Sequence, residues 1–202
     1  MPDSAASRPS PSTASAAPLR AVLDSNVWID ILVFDDPHTR PILAALEQGT
    51  LCAPIDARCL GELARVLDYP QFVQRAVDKA AALATVARLT VPVDPPARDA
   101  TDAAQAQADA RPLPKCKDRD DQKFLELAHA SSADWLVSKD RAVLKLAKRV
   151  ARDFGFRIAQ PAPFVEQSGL GVSTSNGPSK PATGATAAQP AAQQSSAEQT
   201  PV

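Results

Sequence analysis

The chain has 202 residues, with 22 Lys and Arg against 23 Asp and Glu, a net charge of −1, and 45% hydrophobic residues. That balance argues against binding to nucleic acid or membrane through bulk charge, and no apolar run approaches the roughly 20 residues of a membrane span. Cys52, Cys59 and Cys116 form no CxxC pair and read as free thiols of a reducing compartment, and His38 and His129 share no metal-ligand spacing.

Both ends read as disordered tails. Residues 1–18 are Ala, Ser and Pro with almost no large apolar side chain, and residues 168–202 are Ser, Thr, Gln, Ala, Pro and Gly without periodicity. Neither can bury enough surface to offset the entropy of ordering. The N-terminal stretch has no apolar segment of the secretory kind, so the expected location is the cytoplasm. Residues 19–167 then form one domain of ordinary size.

Arg20 to Leu23 predicts a first strand, an apolar run that meets Asp24. A helix follows at once, apolar at Val27, Trp28, Ile31 and Leu32, with Asp24 or Ser25 as its cap. Asp35-Asp36-Pro37 stops it. A second helix buries Pro41, Ile42, Leu43 and Leu46 and ends at Gly49. Leu51 to Ile55 is a short strand carrying Pro54. Asp56 caps a third helix, Ala57 to Leu67, with Glu62 in its middle. Gln71 to Leu89 reads as one long helix and Thr90 to Val93 as a strand. Asp94 to Arg119 is irregular and proline-bearing, with an Ala-rich centre, 100–110, that can form a helical turn or two. A connection of that length is functional or mobile.

Asp118-Arg119-Asp120-Asp121 opens a helix over Gln122 to Ala130, in which His129 is a surface imidazole near the C-terminus. Trp135 to Ser138 is a strand, Arg141 to Ala151 a helix, Phe156 to Ile158 a last strand and Pro161 to Val165 a closing turn. Strands alternating with helices predict an α/β fold whose parallel sheet is covered on both faces, with right-handed crossovers.

Four acids stand out of this framework. Asp24 and Asp140 each end a strand and precede a helix, Asp121 opens a helix, and Glu62 lies beside apolar Leu60 and Leu63. Taken singly, each has a plain structural role. The aspartates make good helix caps, worth about 1 kcal/mol each, and Glu62 can pair with Arg65 on an exposed face. Taken together they say more. Strand-end acids of a parallel sheet point into one crevice. Carboxylates gathered there repel one another unless protons are taken up or a divalent cation binds. Oxygen donors without His or Cys select Mg²⁺ or Mn²⁺ over zinc. Basic residues flank these acids. Lys139, Arg141, Lys145, Lys148, Arg149 and Arg152 lie on or beside the helix after Asp140, and Lys115, Lys117, Arg119 and Lys123 lie around Asp121. They can track phosphates or form an ordinary solvated face.

The order Leu23-Asp24-Ser25-Asn26-Val27, then Gly61-Glu62-Leu63-Ala64-Arg65-Val66-Leu67, then Asp118-Arg119-Asp120-Asp121-Gln122-Lys123-Phe124-Leu125-Glu126-Leu127-Ala128, then Leu136-Val137-Ser138-Lys139-Asp140-Arg141 resembles a PIN domain. Within that superfamily it is most similar to the bacterial, VapC-like toxins of type II toxin–antitoxin pairs. The resemblance implies a three-layer α/β/α sandwich around a central parallel sheet and a metal-dependent endoribonuclease that leaves a 5′-phosphate and a 3′-hydroxyl. Its catalytic and metal-binding positions fall on Asp24, Glu62, Asp121 and Asp140, with Asp118 as an outer or second-metal ligand. Ser25 and Ser138 keep a hydroxyl where the family often has Thr, and Asn26 is expected to brace the first loop. The implied cofactor is Mg²⁺ or Mn²⁺. The implied partners are an RNA substrate, a small antitoxin protein and a second copy of the chain. The competing expectation is a catalytically silent PIN fold that binds RNA or protein without cutting. A haloacid-dehalogenase-like phosphatase would need a second Asp where Asn26 stands, and the chain has no glycine-rich phosphate loop.

Overall fold

Apolar runs of three to five residues, each closed by a polar or turn residue, form the strands of the computed structural model, which describes residues 17–94 and 111–170. They are β1 (Leu19–Leu23), β2 (Leu51–Ile55), β3 (Thr90–Pro92), β4 (Trp135–Val137) and β5 (Arg157–Ala159). Every neighbouring pair is parallel, in the order β3-β2-β1-β4-β5. Ala21, Val22 and Leu23 of β1 are buried in succession, as are all three residues of β4. Consecutive burial means that both faces of the sheet are covered. The result is the three-layer α/β/α sandwich with a parallel sheet.

The chain begins at the centre of the sheet, adds β2 and β3 on one side, then crosses to add β4 and β5 on the other. The order therefore reverses between β1 and β4, where a crevice opens beyond the carboxyl ends of the strands. Ala21 lies opposite Trp135, Val22 opposite Leu136 and Leu23 opposite Val137. Asp24 and Ser138 consequently leave the sheet at the same level.

Helix α1 (Ser25–Ile29) runs on into a wider π turn, Asp30–Phe34, which ends at Asp35 with φ +47°. Helix α2 (Arg40–Glu47) has Pro41 in its first turn, and Gly49 (φ +70°) supplies the left-handed residue beyond its end. Helix α3 (Ala57–Val66) is capped by Asp56, whose Oδ1 accepts from the Cys59 amide at 2.8 Å. Helix α6 (Gln122–Ala130) lies where the sequence predicts it.

Three expectations need correction. The long helix over Gln71 to Leu89 is two, α4 (Pro70–Val73) and α5 (Lys79–Leu89). Ala76 turns left-handed (φ +53°), the Val77 amide returns to the Phe72 carbonyl, and Asp78 starts afresh by accepting from the Ala81 amide at 2.9 Å. A capping acid here outweighs a continuous apolar pattern. The helix after Asp140 is likewise divided, into α7 (Arg141–Leu144) and α8 (Ala147–Asp153). The closing turn is a full helix, α9 (Pro161–Ser168), begun by proline and ended by left-handed Gly169.

The core packs Phe124, Phe156, Phe164, Ile42, Leu63, Leu125 and Leu136, all nearly inaccessible to solvent. Side chains of this kind contribute about 1.5–3 kcal/mol each on burial. The described residues all belong to one compact unit. The Ala-rich centre 100–110 lies outside the described residues, as do 1–16 and 171–202 of the tails expected to be disordered at 1–18 and 168–202, whereas Ser168 closes α9 and Gly169 caps it. Among the described residues, no helix is long and apolar enough to cross a membrane.

Candidate active site

β1 delivers Asp24 into the protein interior, where it is 3% exposed. Its amide continues the sheet by donating to the Val137 carbonyl at 3.0 Å. Its Oδ1 accepts from the Asn26 amide at 3.4 Å, so the residue does cap α1. Its Oδ2 accepts from Asn26 Nδ2 at 2.7 Å and from the Ser138 hydroxyl at 2.5 Å. Burial pushes this carboxyl above its ordinary range, the Ser138 and Asn26 hydrogen bonds pull it back, and the charge of Glu62 adds to the rise.

The same side chains stitch two loops together. Ser138 Oγ accepts from the Asp140 amide at 3.0 Å, and Asn26 Oδ1 accepts from the Lys139 amide at 3.1 Å. Asn26 thus braces the loop after β4 as well as its own. Asp140 uses Oδ1 to accept from the amides of Ala142 (2.5 Å) and Val143 (3.4 Å). Its Oδ2 takes no hydrogen bond among the described residues. Beside Asp24, Ser25 Oγ is buried without a hydrogen-bond partner.

Asp121 behaves differently. It precedes α6 but makes no side-chain capping bond. Burial first, then the charges of Asp24, Asp140, Asp118 and Glu62, push its carboxyl up to about 7. Charges from three other segments, the ends of β1 and β4 and the middle of α3, are thus felt at one half-buried carboxyl, together with that of Asp118 from its own segment. Asp118 stands at the exposed rim, where its Oδ1 accepts from the Asp120 amide.

Glu62 does not turn outward to Arg65. It is ion-paired with Lys123 of α6, whose ammonium also donates to the Asp120 carbonyl. Lys123 is therefore a counter-charge inside the crevice and no part of an outer basic flank. Among the described residues, no group of three His, Cys, Asp or Glu closes around a common point as a formed metal cage.

The remaining basic candidates divide in the same way. Lys139 Nζ donates to both carboxylate oxygens of Asp30, at 2.8 and 2.6 Å, and Asp30 is 5% exposed within the π turn. Its ammonium is committed to a clamp between the β4–α7 loop and the π turn. Arg149 and Arg152 lean on Asp153 at 3.9 and 2.8 Å. Arg141 is exposed, and Lys145 lines a hollow of about 330 Å³ with Lys117, Asp118 and Asp140. Of this set, Lys145 stands beside the acids. Asp30 is the polar group that the sequence reading misses. Its signal is a single acid inside the apolar run Val27 to Phe34.

A family model of the PIN domain matches residues 20–142. Comparison with curated proteins finds no matching sequence. Among solved structures, the VapBC2 complex from Rickettsia felis bound to a DNA fragment from their promoter is similar at 14% identity and a TM-score of 0.45. The alignment covers 70% of this chain and 98% of that one.

Proposed function

The chain belongs to the PIN-domain family, and from that premise we propose that it is a metal-dependent endoribonuclease of the VapC-like toxin group. The observation that carries this reading is the convergence of Asp24 and Asp140 at the carboxyl ends of neighbouring strands, joined through Ser138, with Asp118 beside Asp140 and the charges of all of them and of Glu62 felt at Asp121. Such crowding is unfavourable in an empty crevice and favourable around a divalent cation. The residues fit such a cation by donor chemistry. Every candidate ligand is a carboxylate or hydroxyl oxygen, which suits Mg²⁺ or Mn²⁺. The buried Ser25 hydroxyl without a partner adds one more oxygen beside Asp24.

In this reading Asp24, Asp121 and Asp140 hold the cation, with Glu62 and Asp118 as outer ligands. When bound, the cation would acidify a water and offset charge developing on the phosphate. The chain's own residues do the rest. Ser138 and Asn26 fix Asp24. The Lys139 amide and the Ser138 hydroxyl fix the loop that bears Asp140. Asp121, as ligand or water-orienter, would direct the attacking water. The products are a 5′-phosphate and a 3′-hydroxyl, the biological partner is a small antitoxin protein, and the working form is a homodimer in the cytoplasm.

The alternative is a silent PIN module that binds RNA or protein without cutting. Cleavage of labelled single-stranded RNA with Mg²⁺, Mn²⁺ or EDTA decides between them, run beside an Asp24→Asn, Asp140→Asn double variant. Metal-dependent cleavage that vanishes in the variant is the expected result. RNA binding without cleavage under any metal would give the silent module.

A further inference from the structure

A second cavity, of about 800 Å³, lies on the flank of α6 that faces the incoming segment 111–119. Its volume falls within the roughly 300–1,000 Å³ of small-molecule sites. Three cations line it: Arg111, Lys115 and Arg119. Among the described residues, ion pairs engage neither Lys115 nor Arg119. Arg111 gives one nitrogen to Asp153 at 2.8 Å, and a guanidinium has further donors to offer. The acid in the lining, Glu126, is already neutralised by Arg58 at 2.6 Å. Among the described residues its lining is therefore positive, beside a crevice that is negative.

Its other walls suit a flat, hydrogen-bonding group. Leu113 and Cys116 supply apolar surface, and His129 presents an exposed imidazole, held edge-on to Phe154 at 5.6 Å. Imidazole and guanidinium planes are surfaces on which unstacked bases rest. Gln122 Oε1 accepts from the Cys116 amide at 2.7 Å, and no hydrogen bond uses its Nε2 among the described residues. The cavity also touches the acid crevice. Gln122 of its lining is the residue after Asp121, and Cys116 lies two residues before Asp118, which lines the hollow shared with Asp140.

We propose that this cavity holds one ribonucleotide of the RNA strand, next along from the phosphate in the acid crevice. Lys115, Arg119 and Arg111 take its phosphate, and the Leu113–Cys116–His129 wall takes its base. The inference rests on the endoribonuclease reading for the neighbouring phosphate, while the cavity itself can be tested alone.

The test has two arms. In the first, the full chain in EDTA is titrated with 5′-AMP and, separately, with inorganic phosphate, followed by amide chemical shifts. AMP is expected to move Cys116, Gln122 and His129 more than phosphate does. A Lys115→Ala, Arg119→Ala double variant, checked for wild-type dispersion, should bind AMP about tenfold more weakly, as for loss of a charge-assisted contact. In the second, RNA cleavage by that variant should show KM raised about tenfold with kcat nearly unchanged, the mark of lost ground-state binding. AMP shifts confined to the residues around Asp24 and Asp140, or no shifts, would overturn the cavity assignment even if RNA is cut. AMP bound in the cavity by a protein that cuts no RNA would overturn the nuclease reading and leave the nucleotide site standing.

Discussion

On the β1–β4 side of the crevice, both oxygens of Asp24 accept hydrogen bonds, and the loop that bears Asp140 is tied down through Ser138 and Asn26. On the α3–α6 side, Asp121 caps nothing, Asp118 stands at the exposed rim, and Glu62 is met by the long, flexible Lys123. The first side is held by the sheet and by short side chains and is preorganised before any cation arrives. The second carries three acids, of which the fold gives only Glu62 a cationic partner among the described residues. The contrast teaches where rigidity and reactivity sit. In the proposed nuclease the fixed acids would set the position of the cation and Asp121 would respond to it.

The largest effect should come from breaking the fixed side. The Asp24→Asn, Asp140→Asn double variant is expected to cut RNA more slowly by a factor on the order of 10²–10³. Its thermal melt should stay close to wild type, since burial already disfavours the charge on Asp24. A collapse of the melt would mean that these acids serve the fold more than the chemistry.

The poised side should show itself in pH. A carboxyl raised in the folded state binds its proton more tightly folded than unfolded. The stability due to Asp121 is therefore whole below its ordinary 3.8 and is lost as pH rises through about 7. Melts of the metal-free protein should fall across that interval, an Asp121→Asn variant should flatten the decline, and Mg²⁺ should oppose it. Identical pH profiles for the two proteins would separate Asp121 from the charge cluster.

A smaller effect is expected from the clamp on the rigid side. Lys139→Met leaves the buried Asp30 carboxylate unpaired and should cost about 1–3 kcal/mol in a denaturant melt, part of it recovered by adding Asp30→Asn. The salt dependence of RNA binding should not change, because the ammonium already belongs to Asp30. The smallest differences are on the surface. Lys145→Ala, beside Asp140, should lower the salt slope of RNA binding by about one, as for loss of one phosphate contact. Arg149→Ala should leave it unchanged and move stability by less than about 0.5 kcal/mol.

The fold was legible because its signals are local. Apolar runs ending at Asp24 and Ser138 mark neighbouring strands, and Asp56 starts α3 as its residue type predicts. The division of 71–89 was also signalled locally, by Asp78 ahead of Lys79, and the continuous apolar periodicity masked it. The crevice was legible in part. Strand-end acids of a parallel sheet can be placed from sequence, and so Asp24 and Asp140 could be brought together. The partners of Lys139 and Glu62 could not. Lys139 and Asp30 are 109 residues apart, and Glu62 looked to Arg65 because neighbours on a helix are all that a sequence displays. Which cation is committed and which is available depends on tertiary distances that no spacing rule carries.

The wide turn at Asp30–Phe34 makes this region sensitive to chain length more than to composition. Each residue of an α-helix rotates the next by about 100°, so removing one residue to restore a regular helix would swing one end of the segment by that angle. Asp30 and Phe34 could then no longer both keep their present neighbours, Lys139 and Phe72. Conservative exchanges at the half-buried Ile31, Leu32 and Val33 leave the geometry intact, whereas a single-codon deletion would change the phase of the whole segment. Relatives that align here with a one-residue gap should therefore lack the Asp30–Lys139 pair and hold the loop before Asp140 by other means.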